Sequence, residues 1–321
     1  MSPRASARGR RDELHGVLVV DKPRGLTSAA VVAQVRRRTR VATAGHTGTL
    51  DPLATGVLPV CLGAATKLVQ WLAAEDKAYD ASLELGVETD TLDLDGLVVR
   101  RDPEGAARVD AGALAAAVAA VAARREQVPP MFSAIKQGGV RLHELARAGV
   151  EVERAPRTVE ILEARLLEVA LPRARLHLRA SKGTYVRSFV RDVGAELGCG
   201  ATLTALRRTA SGRFAEAQAV PLAEVAPEVA AARLVTPARA LALPAVTVVA
   251  AHWRDVLDGR PLPAALVADV APGLFQLLTP AGDVLAICER AAGAAGAGGE
   301  GGAVVYHRVL AYGAPDVQRS R

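Results

Sequence analysis

Apolar residues in this chain come alternately as short runs and as helical stripes. Gly16 to Pro23 (GVLVVDKP) is Val-rich and stops at a proline, which predicts a buried strand. Ser28 then stands where a helix cap belongs, ahead of the periodic stretch AAVVAQVRRRT. Thr55 to Gly63 (TGVLPVCLG) predicts a second buried strand, Lys67 to Ala74 a helix, and Tyr79 to Gly86 a third strand. Helical spacing returns from Asp110 to Arg125, and Pro129-Pro130 is expected to end that helix and open a long connection containing Gly138 and Gly139. There follow a short helix in LHELARAG, a β-rich run from Thr158 to Ala180, and a helix from Tyr185 to a glycine stop at Gly198. A helical stretch beginning at Pro221 closes the large domain, and TPARALALP reads as a linker. From about Val246 onward, short Val, Leu and Ala runs are cut by GRPLP, APG, PAGD and AAGAAGAGGEGG, which predicts a small β-rich module with a flexible loop. No internal repeat is visible.

This pattern predicts an α+β chain: a tail over 1–12, a large domain over 13–238 with an insertion at about 126–157, and a module over 239–321. Half of the 321 residues are apolar, enough to bury a sizeable core. No apolar run is long enough to span a bilayer, and the basic N-terminal stretch lacks the apolar segment of a secretory signal, so a cytoplasmic protein without membrane contact is expected. Cys61, Cys199 and Cys288 lie far apart and are expected to be buried, inert thiols. The net charge of +6 is unevenly distributed: residues 1–40 carry ten basic and three acidic residues, and residues 172–213 nine and two. Two basic segments on an otherwise acidic chain favour a polyanionic partner, although solvated arginine-rich faces are as common.

The segment most informative about chemistry is AGHTGTLDPLATGVLPVCLGAATK, Ala44 to Lys67. A single carboxylate, Asp51, sits there in a Gly- and Thr-rich loop directly before Pro52, between a predicted helix and a predicted strand. Such loops present reactive groups at a rigid edge. On spacing alone, an Asp capping a turn before Pro is the stronger reading.

The segment closely resembles, however, the catalytic motif of the bacterial tRNA pseudouridine-55 synthases, the TruB family, in which GHTGxLDPxATG surrounds a nucleophilic Asp. Four further blocks are similar to the family's in the same order: DKPRGLTS (Asp21 to Ser28), KAYDASLELGVETDTLDLDG (Lys77 to Gly96), PPMFSAIKQGGVRLHELARAG (Pro129 to Gly149) and SKGTYVRSFVRDVGAELGCGATLTALRRTASGRF (Ser181 to Phe214). The resemblance implies a pseudouridine-synthase fold, a mixed and mainly antiparallel sheet with flanking helices, followed by a PUA-like RNA-binding module. It makes Asp51 the nucleophile, Tyr79 the ring stacked on the target base, Tyr185 a second active-site aromatic, Arg187 the partner of the Asp, and Leu206 an apolar wall. His46 corresponds to the residue that fills the space an extruded nucleotide leaves in the T loop. Lys22, Arg207 and Arg208 lie in the matched blocks and are expected on the RNA. One departure is Phe132, where relatives often carry Tyr, so no hydrogen-bonding role is expected of that side chain.

The implied chemistry explains these residue types. Converting uridine to pseudouridine breaks the C1′–N1 bond and forms a C1′–C5 bond, so the base must leave the stack, detach, turn and reattach. Extrusion costs a few kcal/mol, which stacking on an aromatic offsets by about 1–3 kcal/mol. A guanidinium within ~4–6 Å favours an ionised Asp, typically lowering its pKa by about one to three pH units. That Asp could add to the anomeric carbon or assist a glycal route; Tyr185 is assigned removal of the C5 proton.

No cofactor is expected. ETDTLDLDG has Thr91 where a calcium loop needs its first ligand and reads as a solvated loop; GAATK lacks phosphate-loop spacing; the six His form no ligand-spaced cluster, so no metal is expected. The expected partner is the tRNA T stem-loop, met by a monomer without an obligatory protein partner. A guide-RNA-dependent synthase subunit and a binding-only RNA chaperone are the competing classes.

Overall fold

The computed structural model of the chain describes residues 14–291 and 304–310, so the expected N-terminal tail and the Gly-rich loop from residue 292 lie outside the described residues. Nine strands form the main sheet: β1 (Gly16–Lys22), β2 (Ala44–His46), β3 (Thr55–Leu62), β4 (Lys77–Leu85), β5 (Ile161–Ala170), β6 (Arg173–Ala180), β7 (Ala201–Ser211), β8 (Phe214–Ala215) and β9 (Val220–Pro221). Their order is β5-β6-β4-β7-β3-β1-β9, with β2 added on β3 and β8 on β7. The sheet is mixed and mainly antiparallel: only β7 with β3 and β1 with β9 run parallel.

Side-chain alternation explains why the strands look different in sequence. On β1 and β3 both faces are covered: Leu18, Val20, Leu58 and Val60 meet the helices, and Val17, Val19, Val57 and Cys61 meet a second apolar cluster on the other side. Such strands read as continuous apolar runs. On β4 and β6 only one face is covered, so Leu83 and Leu176 point inward while Asp80, Glu84, Arg173 and Arg175 point to solvent. Three helices cover the inner face: α1 (Ser28–Thr39), α2 (Ala111–Ala122) and α3 (Val186–Glu196), contributing Val31 and Val35, Leu114 and Val118, and Phe189 and Val193. α3 lies close on β7, since a Cβ on Gly194 would stand 2.2 Å from the Ala201 amide nitrogen.

Several expectations change here. Thr27, not Ser28, caps α1: its backbone is extended and its hydroxyl accepts from the Ala30 amide at 3.1 Å, while Ser28 is already helical. α2 ends at Ala122, well before Pro129-Pro130, and Glu126–Gln127 pairs with Arg157–Thr158. This short ladder closes the base of a lobe that holds a hairpin, Lys136–Gln137 with Val140–Arg141, and the helix Leu142–Arg147. The helix expected at Pro221 begins at Pro227, because Val220 first pairs with Val20. The expected linker contains a helix, Pro237–Leu241.

The C-terminal region is a four-stranded sheet, β10 (Ala245–Thr247), β11 (Gly273–Leu278), β12 (Val284–Arg290) and β13 (Val304–Val309), in that order. It has its own core around Phe275, Leu285 and Cys288, but Val284, Ile287 and Leu310 pack into the cluster that covers Val17, Val19 and Val57. No helix among the described residues is long and apolar enough to cross a membrane.

Candidate active site

The loop between β2 and β3, residues 47–54, carries Asp51, and three anchors hold it from beneath. Ser28 at the start of α1 makes a reciprocal pair with Leu50: the Leu50 amide donates to Ser28 Oγ at 2.8 Å, and that hydroxyl donates to the Leu50 carbonyl at 3.1 Å. Lys22, fully buried at the end of β1, donates Nζ to the carbonyls of Ala54 (2.5 Å), Pro23 (3.0 Å) and Pro52 (3.3 Å). Arg208, 1% exposed on β7, donates to the carbonyls of Val57 (2.7 Å), Gly48 (3.2 Å) and Thr49 (3.4 Å). Glycine is required at position 56, where φ is +98° and a Cβ would stand 2.3 Å from the Arg208 carbonyl oxygen.

Above this base the Asp51 carboxylate meets Arg187, on the first turn of α3, with Oδ2 2.9 Å from Nε. The Nε–H does not point along that vector, so the contact is an ion pair rather than a directed hydrogen bond. Arg187 is held rigidly: Nη1 donates to the Thr91 carbonyl at 2.8 Å and Nη2 to the Phe132 carbonyl at 2.9 Å. A second carboxylate, Asp93 Oδ2, lies 3.6 Å from the same Nε. Asp93 is buried, accepts from Thr91 Oγ1 (2.6 Å) and the Asp95 amide (3.1 Å), and has its pKa raised by burial, which those bonds and Arg187 oppose. The side chain of Asp51 is 35% exposed against 5% for Arg187, so the carboxylate faces open space while its counter-ion is sealed.

That space is a cavity of about 310 Å³, at the small end of ligand sites. Tyr79, Tyr185, Leu206 and Arg208 line it together with Asp51 and Arg187. Tyr185 is fixed through its backbone: its amide donates to Gln127 Oε1 at 2.8 Å, and Gln127 Nε2 donates back to its carbonyl at 3.1 Å. Burial pushes the Tyr185 phenol up, with a Ser133 hydrogen bond opposing. Burial pushes Arg208 down, and the Tyr79 hydroxyl offsets part of that cost. His46 is half-buried on β2 beside the cavity, not in its lining; burial, then Arg208, lowers its pKa and keeps the imidazole neutral.

Three expected RNA contacts are placed differently. Lys22 and Arg208 spend their donors on buried carbonyls and have no surface for a phosphate. Arg207, one residue along β7, faces the opposite side of the sheet, where it pairs with Asp21 (3.0 Å) and Glu216. The basic segment 172–213 is also largely neutralised in space. Arg173 and Arg175 pair with Glu84 and Asp80 on β4, Arg179 with Asp76, Arg191 with Asp192, and Arg187 and Arg207 as described.

The family model described as TruB family pseudouridylate synthase, N-terminal domain, matches residues 36–186, and that of the tRNA pseudouridylate synthase B C-terminal domain matches 187–249. The chain is 43% identical over 281 residues to the tRNA pseudouridine synthase B of Syntrophotalea carbinolica, covering 85% of this chain and 91% of that protein. This chain belongs to the TruB family. A second TruB relative, from Aromatoleum aromaticum, is 47% identical over 261 residues, 80% of this chain and 84% of its own. Among solved structures, a Cbf5–Nop10–Gar1 complex contains a chain that superposes with a TM-score of 0.71 at 26% identity, covering 92% of this chain and 85% of that one.

Within this TruB member the structure adds residues to the site that the sequence reading did not single out. Asp93, expected in a solvated loop, is instead buried because Leu92 and Leu94 bond to Leu203 of β7 and draw the loop inward. Alternation of TLDLDG, apolar at every second position, was the available signal. Gln127 carries no signal of its own, being an ordinary polar residue whose partner is 58 positions away, and Ser28, which reads as a helix cap, clamps a loop residue 22 positions away.

Proposed function

We propose that this TruB-family chain isomerises uridine 55 in the T loop of tRNA to pseudouridine, with Asp51 as nucleophile, and that it works in the cytoplasm as a monomer without guide RNA or obligatory protein partner. The observation that carries the proposal is the Asp51–Arg187 pair at 2.9 Å, with the cation sealed and the carboxylate facing a small cavity walled by Tyr79, Tyr185 and Leu206. An extruded uridine would enter that cavity and lie against Tyr79, its anomeric carbon toward Asp51. As the C1′–N1 bond breaks, the electron pair goes to the base. Asp51 then either adds to C1′ or assists a glycal route; both need an ionised carboxylate in this place, and Arg187 favours that form. The base turns within the cavity and C5 bonds to C1′. The raised pKa of Tyr185 keeps it a neutral phenol, so we assign it a relay, accepting the C5 proton as its own passes toward the nearby Asp51 carboxylate. His46, beside the cavity, would fill the gap left in the T loop.

Catalysis would occupy 13–238, with the lobe closed by the Glu126–Gln127 ladder gripping RNA, and 239–321 would form a PUA-like second RNA-binding module. The partner-dependent alternative rests on the Cbf5 likeness. Identity of 43–47% to relatives named tRNA pseudouridine synthase B, against 26% to that chain, favours the stand-alone reading.

The test is tritium release from an unmodified T-stem-loop RNA labelled at uridine C5, with the protein alone. Release at one T-loop uridine is expected, falling by roughly 10³-fold or more in Asp51→Asn. Absence of release from a folded, RNA-binding protein would overturn the stand-alone reading.

A further inference from the structure

A second cleft, of about 540 Å³, lies away from the catalytic cavity, between the turn that follows β7 and the segment leading into the C-terminal sheet. Among the described residues its walls carry three guanidiniums, Arg213, Arg233 and Arg239, and no acidic side chain. All three arginines are exposed, and none is in an ion pair among the described residues. This sets them apart from the arginines of β6, each matched to a carboxylate. The nearest acid in sequence, Glu216, is drawn away into its pair with Arg207.

The cleft is also built on fixed backbone. Val235 exchanges two hydrogen bonds with Val17 of β1 (2.8 and 2.9 Å), Phe214 is buried in the shared apolar cluster, and the Arg213 guanidinium donates to the Arg239 carbonyl. Three cations held together without counter-ions among the described residues repel one another, a cost that an anion entering between them would relieve. Guanidinium forks match phosphate geometry, so the chemistry selected is a phosphate-bearing ligand.

We propose that this cleft is a second RNA-backbone site, taking phosphates of the same tRNA whose uridine occupies the catalytic cavity. The proposal rests on the tRNA reading above. Reach supports it: Arg213 follows Arg208, which lines the cavity, by five residues, so their Cα atoms are at most about 18 Å apart. A duplex with a phosphate per strand every ~3.4 Å covers that in about five steps.

The experiment compares the wild-type protein with Arg233→Gln/Arg239→Gln, Arg213→Gln, and the exposed Arg101→Gln as a charge control, each checked for an unchanged unfolding midpoint. Affinity for full-length unmodified tRNA is measured against salt, with tritium release in parallel. The expected result is a roughly tenfold weaker Kd and a higher KM with kcat retained in the double variant, and a salt slope smaller by about 1.5 from two lost phosphate contacts at ~0.7–0.9 each. An equal loss in Arg101→Gln, or an unchanged Kd and slope while release persists, would overturn the cleft and leave the activity standing. Binding of inorganic phosphate that the double variant loses without any change in tRNA affinity would assign the cleft to a small phosphate-bearing molecule instead, also against the proposal. Absence of release in the wild type would instead count against the activity itself.

Discussion

Lys22 shows how far a single side chain can depart from its apparent purpose. A lysine in a basic segment reads as a phosphate ligand, yet this one is buried under the Asp51 loop, and burial brings its pKa down to about 8, with Asp51 opposing and Arg208 adding to the shift. The unfolded chain keeps the ordinary value of 10.5. Between about pH 8 and 10.5 the unfolded state therefore holds a proton that the folded state lacks, and the lysine's contribution to stability rises with pH across that window. Below 8 both states hold the proton and the contribution is flat. Urea midpoints measured from pH 7.5 to 10.5 should show this rise in the wild type and a shallower one in Lys22→Met; parallel curves would contradict the assignment. Arg207 and Arg208 carry a related lesson. Neighbours on a strand point to opposite faces, so two adjacent arginines were never going to share one role, but which one faced inward depended on the register of β7.

At the level of elements, the Asp51 loop is tied to α1 through Ser28. Ser28→Ala would leave the buried Leu50 amide and carbonyl without partners, at a cost of about 1–3 kcal/mol, and would let Asp51 drift from Arg187. Thr27→Ala removes only the cap, about 1 kcal/mol. The two variants should thus separate in kinetics: kcat falls in Ser28→Ala and holds in Thr27→Ala, as measured by single-turnover tritium release. Similar kcat losses in both would mean that the helix, not the clamp, is what matters. The helices and strands with clean periods were legible in sequence. β7 was not, although it is the strand between β4 and β3, because its pairing with β4 shifts register between Leu203 and Ala205 and again between Arg208 and Ala210. Each irregularity breaks the period of two on which strand recognition depends. The Pro237–Leu241 helix was hidden for a different reason: Thr-Pro is a helix start as readily as a linker, and five residues are too few to display a period.

For the whole molecule, the apolar cluster shared by β1, β3 and the C-terminal sheet joins the two regions through one core, and they are expected to unfold together. Ile287→Ala should cost about 2–5 kcal/mol and lower a single calorimetric transition. Two separated transitions, with only one moved by the substitution, would show that the regions unfold independently. The joining of the two cores was not legible in the sequence, since it depends on which face of β1 is covered. Charge behaved similarly. The segment 172–213 is strongly basic as a string and largely neutral as a surface, because its arginines stand on β6 and β7 against acids that the chain supplies from β1, β4 and the loop before β4. The members of the candidate site, in contrast, were found by motif rather than by pattern: Asp51, Tyr79, Tyr185, Arg187 and Leu206 do line one cavity, while the residues that orient them became visible only with the backbone in place.

The partners of Arg187 lie far from it along the chain: Phe132 at 55 residues, Thr91 at 96 and Asp51 at 136. Loops that long close late in folding. On a ribosome, synthesis from the N-terminus therefore releases the carboxylate well before its counter-ion exists, and a chain stopped short of α3 has the Ser28 and Lys22 anchors beneath the loop but no cation to pair with Asp51. Turnover that depends on the Asp51–Arg187 pair therefore requires a chain completed at least through α3.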